Sequence, residues 1–205
     1  MGDRFRRDPR TDLHRQVATM MTIERNPAKI INLAIWYGAG GAEIARRLGL
    51  PTEFKRLDNG DVIEVAGPEA ARLIRRHHQS FPFIKELQKA TKAAADRRGW
   101  VRTIEGRVCH FQRQGDGYKR TYKACNSVIQ GSAADQMKRA QVNMRREGIL
   151  PLIVVHDDSN LSIPMGEAGE RKIARVKEIM ETAVTLTIPV LADVKIGDNW
   201  AAVRG

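Results

Sequence analysis

Apolar and polar positions recur along the chain with two periods, and each period predicts one type of element. In the segment 26–37 the helical period is bounded by a good N-cap, Asn26, by Pro27 at the first helical position, and by Gly38 after the end. The first dozen residues are charged and aperiodic, and they predict a loose lead-in. Helices are predicted on the same grounds over 26–37, 42–48, 68–79, 82–98, 122–147 and 167–186.

Short apolar runs next to turn residues predict the strands. Residues 150–155 predict a buried strand that leads into the turn His156-Asp157-Asp158. The other predicted strand segments are the hairpins 54–65 and 100–111, the returning strand 159–163 and a last strand over 189–196. The first half is therefore expected to be mainly helical and the second half an antiparallel sheet with helices on one face, which is an α+β fold.

Composition narrows the class of protein. The 205 residues are 42% hydrophobic, which is enough for a packed core and excludes a disordered tail. Two cysteines, Cys109 and Cys125, exclude a disulfide scaffold and favour a reducing, cytoplasmic compartment. No apolar run approaches the roughly 18 residues of a membrane helix, so no membrane association is expected.

The net charge of the chain indicates what kind of partner it binds. The chain has 35 Lys+Arg against 24 Asp+Glu, a formal net charge of +11, and a sequence pI of about 10.1. A surplus of this size favours a polyanionic partner, with nucleic acid as the first candidate.

One face of the first predicted helix carries residues with a nucleotide-binding pattern. Arg25, Lys29, Leu33 and Tyr37 follow one another at four-residue spacing, so they share that face. Its two cations lie near the positive end of the helix dipole, where they could hold phosphates, with a sugar and base near Leu33 and Tyr37. An ordinary amphipathic helix with a solvated basic end explains the same pattern and is favoured for this motif alone.

Two further motifs carry polar chemistry. Asp157 and Asp158 follow five apolar residues at a turn, where adjacent carboxylates could bind Mg²⁺, and a simple polar turn is the alternative. Asn126 and Gln130 share a helix face, and their amides suit base edges in a minor groove. The small residues 131–134 after them favour helix packing instead.

Taken together and in order, these motifs resemble the family A DNA polymerases. RNPAKIINLAIWYG (25–38) resembles the family's motif B in the fingers, NSVIQGSAAD (126–135) its palm helix and VVHDD (154–158) its motif C. The segments DLH (12–14), GWVRTIEGR (99–107) and IGDNW (196–200) also match family segments. The resemblance implies a lead-in at the palm–fingers junction over 1–24, a fingers subdomain over 25–115, and the C-terminal half of a palm over 116–205.

The resemblance also implies residue roles. Arg25, Lys29 and His14 would contact the dNTP phosphates, with Lys29 donating a proton to the leaving pyrophosphate, and Leu33 and Tyr37 would lie at the nucleotide. Tyr37 would also lie against the templating DNA. In the second half of the chain, Asp157 would be a catalytic metal ligand, Asp158 an auxiliary carboxylate and metal ligand, and His156 a primer-strand contact. Asn126 and Gln130 would contact the minor groove.

Four departures from the family pattern matter. Leu33 occupies a position where the family usually has Phe or Tyr, and Asp158 a position where it usually has Glu. Tyr122 replaces a basic residue that is common in bacterial members, and this replacement favours phage relatives. The two-metal mechanism also needs a second carboxylate from the motif A strand, and Asp3, Asp8 and Asp12 follow no apolar run that could be this strand.

The sequence therefore predicts the C-terminal part of a family A DNA polymerase, which could be the small part of a naturally split phage enzyme. DNA primer-template, dNTP and two Mg²⁺ ions are the expected ligands, and an N-terminal polypeptide with motif A and the thumb is the expected partner. The alternatives are a catalytically inactive DNA-binding remnant and a metal-dependent nuclease built on residues 156–158.

Overall fold

The computed structural model describes residues 2–112 and 119–203. Within them the helices are α1 (Gly2–Arg7), α2 (Leu13–Met21), α3 (Arg25–Trp36), α4 (Gly41–Arg47), α5 (Pro68–Ser80), α6 (Pro82–Arg98), α7 (Ala124–Arg146), α8 (Glu167–Thr182) and α9 (Trp200–Val203), with a 3-10 turn at Thr121–Lys123 before α7. The strands are β1 (Thr52–Arg56), β2 (Val62–Ala66), β3 (Trp100–Arg102), β4 (Val108–His110), β5 (Ile153–Val155) and β6 (Asp158–Asn160). The described chain is thus largely helical with small antiparallel sheets, and the predicted α+β class is confirmed.

The helices and hairpins in the middle of the chain agree with the predictions made from residues at their ends. Pro68 and Pro82 begin α5 and α6 as predicted, and Gly99 ends α6 with a φ of 78°, a left-handed conformation that favours glycine. The two predicted hairpins are also present, β1 with β2 and β3 with β4, each antiparallel. These elements are specified by residues within a few positions of their ends.

The N-terminal prediction of a loose lead-in is wrong. Residues 2–7 form the exposed helix α1, and α2 follows it. The signal for α2 was present in the sequence, since Asp12 caps the helix and Val17, Ala18 and Met21 recur on its buried face.

The predicted N-cap of α3 is also wrong. Glu24 occupies the cap with extended backbone, and its carbonyl oxygen accepts the Ala28 amide at 3.2 Å. Pro27 therefore lies at the third helical position, still within the first turn, where a missing N–H costs no hydrogen bond. The consequence is that Arg25 belongs to the first turn of the helix.

The strands predicted near the C-terminus differ most from the structure. The segment predicted as a buried strand over 150–155 forms a strand at Ile153–Val155, whose side chains are 42%, 40% and 39% exposed. Residues 189–196 form no strand, and the amide of Ala192 instead donates to the Glu181 carboxylate at 2.9 Å. In the described residues no further strand pairs with β5 and β6, so the outer edges of this hairpin are unpaired.

The chain divides into two compact units, one formed by residues 12–130 and the other by residues 1–11 with 131–205. The core of the first unit comes from α2, α3, α4 and the start of α6, and includes Met21, Ile31, Ile44, Phe81 and Ile84. A smaller cluster in the same unit joins Ala95, Val101 and Ala124.

The second unit is built on the packing of α7 against α8. Ala140 and Met144 of α7 meet Val176 and Ile179 of α8. Arg175 of α8 also forms a two-pronged ion pair with Glu147, with its Nη2 and Nε at 2.6 and 2.9 Å from the carboxylate oxygens. The helix α8 ends at Thr182, four residues before the predicted end.

No helix in the described ranges is long and apolar enough to cross a membrane.

Candidate functional site

The helix α3 presents two contrasting faces. Ala28, Ile31 and Ile35 are buried in the core of their unit. Arg25, Lys29 and Tyr37 are exposed, and Leu33 between them is half-buried. The residues of the predicted nucleotide-binding face therefore lie together on the solvent side of this helix.

Asp12 connects α2 to the start of this face. Its Oδ1 accepts the Arg15 amide at 3.0 Å and caps α2, while its Oδ2 accepts from Arg25 Nε at 2.7 Å. These hydrogen bonds, with that from Arg25 the strongest, lower the pKa of Asp12 to about 2. The carboxylate thus stays charged and fixes the Arg25 guanidinium at the helix start, a role that the sequence did not reveal.

His14 lies close enough to this pair to interact with its charges. Burial lowers the pKa of His14, and the positive charges of Arg25 and Lys29 lower it further, against the opposing effect of Asp12. Its Nδ1 is buried and has no hydrogen-bond partner in the part of the chain that the structure describes. His14, Arg25 and Lys29, the three predicted phosphate contacts, therefore form one electrostatic cluster.

The C-terminal end of α3 is held by neighbouring elements. Gln88 Nε2 of α6 donates to the Ile35 carbonyl at 2.7 Å, and Gly38 has a φ of 75° beside the backbone of Tyr122. Tyr37 is 46% exposed at this end, so its side chain is accessible to a ligand.

The second group of predicted residues lies at the tip of the β5–β6 hairpin. Val155 pairs with Asp158, so the connecting loop consists of His156 and Asp157, and Asp158 is the first residue of β6. His156 has a φ of 54°, in the left-handed region that few non-glycine residues adopt. All three side chains of 156–158 are exposed at this tip.

The donor set at this tip is of the kind that suits a divalent cation. Carboxylate oxygens are preferred ligands of Mg²⁺, and among the described residues neither Asp157 nor Asp158 has a cationic partner that would occupy them. No group of three or more His, Cys, Asp or Glu residues that could hold a metal occurs in the described part of the chain. The two aspartates therefore fit one part of a metal site.

Asn126 and Gln130 lie one turn apart in the first half of α7. Gln130 is exposed, whereas the Oδ1 of Asn126 is buried and accepts no hydrogen bond from any described residue. An amide pair of this kind retains capacity to bond to a base edge.

One buried polar pair was not foreseen. His77 of α5 is fully buried, and its Nε2 lies 3.2 Å from Oδ1 of Asn32 on α3. With an amide oxygen as acceptor, Nε2 carries the proton, and burial together with His78 lowers the pKa of His77 to about 4. The pair joins residues 45 positions apart, so no local pattern could have indicated it.

Comparison with known proteins gives the following relatives. A model of DNA polymerase family A matches residues 2–202. The chain is 39% identical to a DNA-directed DNA polymerase of Pseudomonas phage M6, over 99% of this chain and 33% of the relative. It is 31% identical to the DNA polymerase DpoZ of Vibrio phage phiVC8, over 98% of this chain and 33% of the relative. It is 30% identical to the thermostable DNA polymerase I of Thermus thermophilus, over 95% of this chain and 24% of the relative.

A solved structure has a similar fold. The POL domain of Pol1 from M. smegmatis, in complex with DNA primer-template and dNTP, superposes with a TM-score of 0.74 at 24% identity, over 94% of this chain and 35% of that chain. The chain thus spans about a third of the length of the phage relatives and about a quarter of the Thermus enzyme.

Proposed function

The chain belongs to the family A DNA polymerases, and from this membership we propose that it takes part in template-directed DNA synthesis. The reaction is attack of a primer 3′-hydroxyl on the α-phosphorus of a dNTP, with formation of a phosphodiester bond and release of pyrophosphate. The observation that carries the proposal is the exposed face of α3, on which Arg25 and Lys29 adjoin His14.

Each part of this face has a role in the proposal. Arg25 and Lys29 bind the triphosphate, and their positive charges stabilise the negative charge that develops on the leaving pyrophosphate. Lys29 donates a proton to this group. Leu33 contacts the sugar and Tyr37 the base pair, and His14 contacts a phosphate when the approaching negative charge raises its pKa.

The hairpin tip supplies the metal ligands in the proposal. Asp157 and Asp158 hold Mg²⁺, and His156 contacts the primer strand, while Asn126 and Gln130 contact the minor groove of the new duplex. Bound Mg²⁺ ions stabilise negative charge on the attacking and leaving oxygens. A site for two ions needs a further carboxylate, because two adjacent aspartates do not complete it.

We assign this further carboxylate to a second polypeptide, which carries motif A and the thumb. Relatives about three times as long as this chain support a source of this carboxylate outside these 205 residues. The unpaired edges of β5 and β6 and the partly exposed side chains of β5 support it as well, since a palm sheet would place further strands there. In this scheme residues 25–115 act as fingers and 116–205 as half of the palm, with 1–24 at their junction; the boundary between 115 and 116 lies outside the described residues.

A chimera tests the proposal: the phage M6 polymerase with its matched region replaced by this chain. We expect the chimera to extend a primer with Mg²⁺ and dNTP, and the 205-residue chain alone to be inactive. Asp157→Asn in the chimera should lower the rate at least about a hundredfold, because it removes a charged metal ligand without changing side-chain size.

The matched control is Asp193→Asn, an equal charge change at an exposed residue of the same unit, and it should retain the chimera's rate. Normal turnover of Asp157→Asn would exclude the metal-ligand role.

Primer extension by the chain alone would exclude the need for a second polypeptide, and an inactive chimera that still binds DNA would favour the DNA-binding remnant. Degradation of DNA by the chain with Mg²⁺ would favour a nuclease.

A further inference from the structure

A cleft in the unit formed by residues 12–130 is separate from the face of α3 described above. It lies among β2, α5 and α6 and has a volume of about 780 Å³. Ligand pockets commonly measure about 300–1,000 Å³, so this cleft is large enough for a nucleotide.

The lining of the cleft has two chemical parts. Val65, Ala66 and Ile74 contribute apolar surface. Arg75 of α5 and Lys85 and Lys89 of α6 contribute three cations, and the two lysines are four residues apart, so they share one face of α6. An apolar surface beside a group of cations matches a molecule with a flat apolar ring and an attached anion.

The cations of the cleft are available to a ligand. Among the described residues, Arg75, Lys85 and Lys89 form no ion pair, although other arginines and lysines of the same unit do, as Arg46 does with Glu43 at 3.0 Å. Glu86 is the acidic residue that lines the cleft, and it leaves a surplus of positive charge. Uncompensated cations of one sign within a cleft attract a polyanion.

His78 adds a polar group to the same cleft. It lies three residues after Arg75 on α5, and its Nδ1 is buried with no hydrogen-bond partner among the residues described. Both His78 and Lys85 line the cleft. Burial lowers the pKa of His78, and the positive charge of Lys85 lowers it further, since two like charges repel. A bound phosphate would offset this repulsion and accept a hydrogen bond.

We propose that this cleft binds one nucleotide of an unpaired DNA strand, with its phosphate on Arg75, Lys85 and Lys89 and its base against Val65, Ala66 and Ile74. The choice of DNA rests on the proposed function, while the phosphate and base pockets rest on the cleft itself. Such a site would hold single-stranded DNA on the unit formed by residues 12–130, independently of the exposed face of α3 that is proposed to bind the dNTP.

Binding of fluorescent oligothymidylate to the 205-residue chain tests the site, without Mg²⁺, dNTP or the chimera. The pocket variant combines Arg75→Gln, Lys85→Gln and Lys89→Gln. The control variant combines Lys55→Gln, Arg72→Gln and Arg97→Gln, which remove the same charge from exposed positions of the same unit that do not line the cleft.

We expect the pocket variant to bind about tenfold more weakly than the control. Its salt dependence should be shallower by about one unit in log–log slope for each phosphate that its side chains no longer bind. If both variants bound oligothymidylate equally weakly, the loss of affinity would come from the lower net charge alone, and the proposed site would be wrong. Binding of an abasic oligonucleotide as strong as that of oligothymidylate would overturn the contact with the base.

A measurement on the unmodified chain removes any dependence on variant folding. A photoreactive oligonucleotide should crosslink within residues 65–89, and the His78 ring should titrate at higher pH when the oligonucleotide is bound. Crosslinks confined to other segments, with an unchanged His78 titration, would contradict the proposal. These results do not depend on the activity of the chimera, so this site and the proposed function can fail separately.

Discussion

At the residue scale, His77 shows how a buried polar group couples stability to pH. The ring is fully buried, donates to Asn32, and has a pKa lowered from 6.5 to about 4. Because the unfolded chain takes up a proton at this residue near pH 6.5 and the folded chain does not, acidification favours unfolding between pH 6.5 and 4. Below about pH 4 both states are protonated and the loss is complete.

We therefore predict that the free energy of unfolding falls by about 3 kcal/mol through His77 between pH 7 and pH 4, from 1.36 kcal/mol per pKa unit. The variant His77→Gln should lose most of this dependence, which urea unfolding followed by circular dichroism can measure at the two values of pH. His110→Gln, at an exposed histidine, is the matched control and should keep it. An acid-induced loss in His77→Gln equal to that of the parent would rule out this coupling.

The candidate site was partly predictable at this scale. The common face of Arg25, Lys29, Leu33 and Tyr37 follows from helical spacing, and the structure places these side chains as the spacing requires. The pairing of Asp12 with Arg25 was not predictable, because it depends on how α2 packs against α3 across 13 residues. Local patterns identify which side chains share a face, whereas tertiary packing decides which charges meet.

At the element scale, the close approach of two backbones fixes the junction before α5. Gly67 occupies the N-cap of α5, and its amide donates to the Pro51 carbonyl at 3.1 Å. A Cβ at this position would lie 2.6 Å from the same Pro51 oxygen, closer than van der Waals contact allows. The structure at this junction therefore depends on the absence of a side chain.

We predict that Gly67→Ala lowers the free energy of unfolding by about 1–3 kcal/mol more than Gly40→Ala does. Gly40 is the matched control, because it caps α4 with similar extended backbone and a Cβ there would meet nothing within 4 Å. Both changes replace a glycine N-cap by alanine, so the difference measures the contact with Pro51. Equal unfolding free energies in urea would show that the backbone at 51 moves aside at no cost.

Some secondary-structure elements are specified by residues at their own ends, whereas others depend on a partner elsewhere in the fold. The helices α5 and α6 and the hairpins β1–β2 and β3–β4 were predicted closely, because proline, glycine and turn residues at their ends act locally. The strand predicted over 189–196 failed because a strand needs a partner edge as well as an apolar pattern. In the structure residues 189–196 pair with no strand, and Glu181 accepts the hydrogen bond of Ala192 instead.

At the scale of the whole molecule, the order of motifs carried more information than any motif did by itself. The face of α3 and the turn at 156–158 each had an ordinary structural explanation. Their order along the chain was sufficient to indicate the family, which the match over residues 2–202 confirms. The net charge of +11 agrees with a DNA partner, although charge alone would not have distinguished a polymerase from other nucleic-acid-binding proteins.

The last prediction concerns the hairpin of β5 and β6, whose outer edges are unpaired among the described residues. Ile153, Val154 and Val155 of β5 are each about two fifths exposed, and no third strand among the described residues pairs with this hairpin. If a second polypeptide completes the palm, it should cover this apolar surface and pair with the free edge of the hairpin. Burial of such a surface and formation of new hydrogen bonds both slow the exchange of backbone amides.

We therefore expect amides of residues 152–160 to exchange at least about tenfold more slowly in the chimera than in the free 205-residue chain, measured by hydrogen–deuterium exchange. The hairpin β1–β2 is the internal control, because it has the same two-stranded form and lies in the other unit, so its exchange should be the same in both proteins. Equal exchange of 152–160 in the two proteins would mean that the rest of the polymerase does not cover β5, and the palm would then have to be completed elsewhere. Slower exchange in both hairpins would indicate a general stabilisation of the chain, since a specific strand partner protects the hairpin that it contacts and leaves the other unchanged.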